Sequence, residues 1–174
     1  MYNYFKIMAG RRILKKNIVI VCLNDFLLKE VSESVAKKFK MDFVDIDEHI
    51  EKKLLENKGE SLSFASEFLT KLEREYIQKL TKKNNTVFSI SAETFLANNN
   101  CDYFHNFSVV YIATEIHKID INTIKSKAER TRIIQNTEIQ QNLNDFLSVS
   151  ANYVVLNADI KEVDEIVKEI EELI

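Results

Sequence analysis

The residues best placed to do chemistry are two aspartates, Asp45 and Asp47, in the run Phe43-Val-Asp45-Ile-Asp47. On an extended segment side chains alternate between faces, so carboxylates two residues apart share one side. The run ends a short strand, and the carboxyl ends of strands are where doubly wound folds bind ligands. A carboxylate pair there can serve a bound ligand. The structural reading is that Asp47 caps a helix beginning at Glu48, with Asp45 a solvated strand end. No other cluster competes. His49, His105 and His117 fall on separate segments without metal-ligand spacing, and Cys22 and Cys101 form no CxxC, which suits a reduced protein with structural thiols.

Glycine decides which phosphate chemistry is open. The chain has two, Gly10 and Gly59, and no proline or tryptophan. Backbone N–H groups that crowd an anion need conformations a Cβ obstructs, so a phosphate loop requires several glycines close together. An intact P-loop, a GxGxxG fingerprint and a Gly-rich kinase loop are excluded. A carboxylate pair without a phosphate site has no reaction to assist, which favours the structural reading of Asp45 and Asp47.

The elements that must position these residues alternate in type. Residues 17–23 form a continuous β-branched run, as in a strand buried on both faces. Asn24 and Asp25 follow as helix-capping types, and apolar residues at 27, 28, 31, 35 and 39 trace a helical stripe. Residues 41–45 read as a second strand, with helical text over 48–56 and 62–80. Strands are expected at 86–90, 108–113 and 153–156, with a loop at Asn98-Asn-Asn100 and a polar helical stretch over about 122–149. Ile160, Val163, Ile166, Val167, Ile170 and Ile174 mark a closing helix. This is the pattern of βαβ units, a five-stranded parallel sheet flanked by helices in three layers. Residues 1–16 read as a short basic extension, with Met8 an alternative start, and residues 17–174 as one domain. The extension lacks the apolar stretch of a signal peptide.

With 174 residues, 24 basic and 27 acidic side chains and no basic block, the chain has no electrostatic support for a nucleic-acid or anionic-membrane partner. Its longest apolar run, residues 18–23, is far short of the ~20 needed to span a bilayer. A cytoplasmic monomer is expected.

Laid without a gap, residues 17–47 resemble the opening of the shikimate kinases: a strand, a GxxGxGK[ST] loop, a helix, then a short strand ending FxDxD. Leu72-Glu73-Arg74-Glu75 resembles the family's LExE, Val109-Val-Tyr-Ile112 its VVYL strand, and Thr131-Arg132 falls where its lid carries R-P-L-L. The resemblance extends over about residues 17–174 and implies a P-loop-kinase fold, with transfer of the ATP γ-phosphoryl to shikimate in the presence of Mg²⁺. It places Asp45 near the magnesium shell and Asp47 on the substrate hydroxyl. Arg132, with Arg130 beside it, would be a nucleotide-closing lid residue or part of a solvated helix face. Lys71 would stand in as the substrate carboxylate clamp.

The same alignment replaces most of the family's functional groups. The loop glycines become Cys22, Asp25 and Leu27, the phosphate lysine becomes Leu28, and the magnesium-holding hydroxyl becomes Lys29. Lys29 is one position late, and one step along a helix turns a side chain by about 100°. The first substrate arginine falls at Thr70, the glycine triplet at Ser91-Ala92-Glu93, and the late substrate arginine near Leu143. A pocket that loses its arginines and glycines should refill, and Phe95 is the side chain expected to do so. The sequence therefore points to a catalytically inactive family member, or pseudoenzyme, with no cofactor expected. ATP and Mg²⁺ would serve only if family activity is retained. The alternatives are a weak or divergent small-molecule kinase and an interaction module whose partner is another protein, such as an active paralogue or a pathway enzyme.

Overall fold

The computed structural model describes residues 17–57, 66–113, 127–149, 153–157 and 161–174. The expected N-terminal extension, Gly59, His117 and Ile160 lie outside the described residues. In chain order the elements are β1 (Asn17–Cys22), α1 (Asp25–Phe39), β2 (Asp42–Asp45), α2 (Ile46–Asn57), α3 (Ser66–Leu80) and β3 (Thr86–Ser91). Then come α4 (Ala92–Leu96), a 3₁₀ segment (Ala97–Phe104), β4 (Ser108–Ala113), α5 (Lys127–Val149), β5 (Tyr153–Asn157) and α6 (Val163–Leu173). The strands form one parallel sheet in the order β2-β3-β1-β4-β5.

β1 lies at the centre with every residue buried, which is why it reads as an unbroken apolar run. Its side chains divide between two cores. Ile18, Ile20 and Cys22 pack with Leu28, Val31 and Val35 of α1 and Ile166, Val167 and Ile170 of α6. Val19 and Val21 pack on the opposite face with Ile46 and Ile50 of α2, Ile77 of α3, Phe95 of α4 and Leu143 of α5. Asn17 sets the sheet's starting register: its side chain donates to the Lys83 carbonyl (2.8 Å) and accepts from the Thr86 N–H (3.0 Å). The ends of β1, β3 and β4 are flush, with Cys22 beside both Ser91 and Ile112. That edge carries the candidate site.

Two local expectations change. The loop expected at Asn98-Asn-Asn100 falls within a 3₁₀ segment that follows α4, and its Asn98 and Asn99 are non-helical and left-handed (φ 52° and 59°). α2 also starts earlier than expected, at Ile46 rather than Glu48. The described residues contain no glycine, and their left-handed positions are filled by Lys40 and by Asn85, Asn98 and Asn99. Asparagine tolerates that region better than other residues with a Cβ.

Candidate functional site

At the exit of β1 the chain turns straight into α1. Asn24 is the N-cap, its side-chain oxygen accepting from the Leu27 N–H at 3.1 Å. Asp25 is the first helical residue and adds a negative charge at the positive helix end. Behind the turn, the buried Cys22 sulfur accepts from the Asn24 N–H (3.3 Å). Burial pushes its thiol up to about 11, so it is unreactive at neutral pH. Leu28 points inward and is only 5% exposed, packed in the first core. Lys29 points outward to Glu48 of α2 (3.6 Å). Glu48 also takes a hydrogen bond from Lys52, and that bond, followed by the charges of Lys52 and Lys29, holds its carboxyl below the usual range.

The two aspartates do not share one task. Asp45 accepts the Glu48 N–H on its side chain (3.0 Å), and its carbonyl is bonded to the His49 ring (2.8 Å). Asp45 is therefore the residue that caps α2. The expectation that Asp47 would do so is corrected, because the helix begins two residues earlier than the text from Glu48 suggested. Asp47 instead lies in the first turn of α2 and reaches across to the end of β3. One of its oxygens accepts the Ser91 N–H (2.7 Å), and the other accepts the hydroxyls of Ser91 (3.0 Å) and Thr94. Ser91 in turn caps α4 through the Thr94 N–H (3.2 Å).

From Thr94 the polar contacts continue inward. Asn100, fully buried, donates its amide to the Thr94 carbonyl (2.9 Å) and to Glu73 of α3, while Arg74 donates to the Asn98 carbonyl (2.9 Å). Sequence reasoning missed Ser91, Thr94, Asn100 and Glu73 as partners in this network. Ser91, a residue type favoured at helix N-caps, was the available signal.

Beneath them Phe95 is fully buried and stacks on Phe104 with centroids 5.7 Å apart. Leu143, where the resemblance placed a substrate arginine, is also fully buried in this core. Thr70 is half-buried. Lys71 lies on the open face of α3, 77% exposed and 3.9 Å from Glu75. Arg132 lies on α5, with its side chain outside the described residues. The structure thus gathers Asp45 and Asp47 at the carboxyl edge of the sheet and directs Lys71 to solvent. Among the described residues no group of three or more His, Cys, Asp or Glu is arranged to hold a metal ion, and no helix is long and apolar enough to cross a membrane.

The family model for shikimate kinase matches residues 29–174, most of the chain. The chain belongs to the shikimate kinase family. Among solved structures, a shikimate kinase from Bacteroides thetaiotaomicron is 18% identical with a TM-score of 0.67, over 90% of this chain and 97% of that one. A shikimate kinase from Acinetobacter baumannii, in complex with shikimate, is 16% identical with a TM-score of 0.68, over 92% and 93%. One from Aquifex aeolicus is 18% identical with a TM-score of 0.61, over 89% and 93%. At identities this low, the structural likeness shows the shared P-loop-kinase fold and no more. A search among curated proteins finds no significant match.

Shikimate kinases use ATP and Mg²⁺, which calls for converging backbone N–H groups, a lysine and a hydroxyl at the start of the helix after β1. At the start of α1 one N–H group is taken by Asn24, Leu28 is packed in the core, and Lys29 is paired to Glu48. This donor set does not match the chemistry of ATP·Mg²⁺.

Proposed function

We propose that this member of the shikimate kinase family does not transfer phosphate and persists as a pseudoenzyme. The observation that carries the reading is Leu28. The position aligned with the phosphate lysine holds a side chain packed among Ile18, Ile20 and Val31, so it contributes to the core rather than facing a ligand. Phosphoryl transfer depends almost wholly on positioning and charge neutralisation. The start of α1 supplies neither: it presents Asp25 in its first turn and its own asparagine cap. The acceptor side supports the same reading, since Leu143 is apolar and buried and Asp47 is already satisfied by Ser91 and Thr94.

The test is a calorimetric titration with ATP·Mg²⁺. No binding tighter than about millimolar, near −4 kcal/mol, is expected. A low-micromolar dissociation constant would overturn the reading and restore a divergent kinase in its place.

A further inference from the structure

Asp47 has three donors on two oxygens, which is most of what a carboxylate can accept in one plane. All three come from one short segment 44 to 47 positions later in the chain. Thr94 then passes the connection on, because its carbonyl receives Asn100, and the same amide reaches Glu73 on α3. We infer that Asp47, Ser91, Thr94, Asn100 and Glu73 form an interlock that makes α2, α4, the 3₁₀ segment and α3 open as one unit, with no ligand needed to hold them together. The inference goes beyond the loss of catalysis, and it stands or falls separately from nucleotide binding.

Two features make the coupling cooperative rather than a row of separate bonds. Asn100 is fully buried, and its side-chain oxygen has no partner among the described residues. Burying an amide with one unmet oxygen is unfavourable, so Asn100 stays inside only while both of its donated bonds are kept. Losing the position of Thr94 removes one of them and with it the reason for Asn100 to remain buried. The 3₁₀ segment is the second feature. Asn98 and Asn99 stand consecutively in the left-handed region, and Asn100 on one side and the Arg74 bond to the Asn98 carbonyl on the other tie that kink to α3. A kink of this kind persists where its surroundings over-determine it.

Hydrogen exchange read by mass spectrometry on the full chain tests the interlock. Asp47→Asn keeps the shape but removes the charge: its one oxygen can still accept the Ser91 N–H, while its NH₂ can only donate to the two hydroxyls, whose own protons lose the carboxylate they were bonded to. Exchange should rise about tenfold or more at residues 91–94, and equally at 97–104 and around 73–77, which Asp47 does not touch. Gln78→Ala, on the exposed face of α3, should leave all three regions unchanged. In a Ser91→Ala/Thr94→Val background, Asp47→Asn should lower the melting temperature by no more than about 2 °C further, because contacting residues are not additive. A rise confined to residues 45–49 and 91–94, or additive melting shifts, would overturn the interlock. Should Asp47→Asn not fold, Thr94→Val removes a single donor and must show the same spread to 97–104 at smaller amplitude; a purely local change there overturns it equally.

Discussion

Asn24 leaves β1 in an extended conformation (φ −100°, ψ 105°) and turns its side chain back onto the Leu27 N–H. Either Asn24 or Asp25 was suited to this task by type, and the geometry selects Asn24 because it is the last residue before the helical dihedrals begin. Asn24→Ala should therefore destabilise the fold by about 1 kcal/mol. Asp25→Ala should cost less, roughly 0.3–1 kcal/mol, since Asp25 acts only through the charge at the helix end. Urea denaturation of the two variants decides the order, and a larger loss for Asp25→Ala would contradict the assignment. The same distinction separates Asp45 from Asp47. Two residues of one type, two positions apart, hold different bonds, one local and one across the sheet edge.

α5 is a long polar helix with little amphipathic pattern, and its sequence does not reveal which residue it buries. The structure shows Leu143 inserted beside Phe95 and Phe104 in the second core. Placing a charge there tests how firmly that core is packed. Leu143→Arg should cost about 3–5 kcal/mol, the scale of a buried charge left without a partner. For a chain of this size that corresponds to a fall of roughly 6–20 °C in melting temperature. A variant that melts close to the parent would mean that α5 can turn the side chain to solvent and that no core was formed at this position. β1 and α6 behave in the opposite way. Their burial follows directly from an unbroken apolar run and from a regular stripe at 163, 166, 167 and 170.

At the scale of the molecule, the proposed loss of the phosphate loop and the proposed loss of the acceptor side are separable, and a graft distinguishes them. Cys22→Gly, Asp25→Gly, Leu27→Gly, Leu28→Lys and Lys29→Thr together rebuild GxxGxGK[ST]. Some nucleotide affinity should return as N–H groups and a lysine face the phosphates, at a cost in stability because Cys22 and Leu28 leave the core. Shikimate turnover should not return, since Thr70, Ser91 and Leu143 supply no cationic seat for an anionic substrate. A coupled ADP-release assay with and without shikimate checks this, and shikimate-dependent turnover above background would show a working acceptor site. The parallel sheet, its five strands and the FxDxD edge were legible in the sequence, because periodicity and β-branched runs are local properties that survive whatever packs against them. The scarcity of glycine was equally plain, because it is a count that no fold alters. The occupants of the vacated positions were not legible. Asp47 meets Ser91 and Thr94 only because the sheet order sets the end of β2 beside that of β3. Leu28 and Leu143 become core only because α6 and α4 close over them. Contacts between residues distant in the chain depend on strand order and crossover connections, and those are decided by the tertiary structure alone.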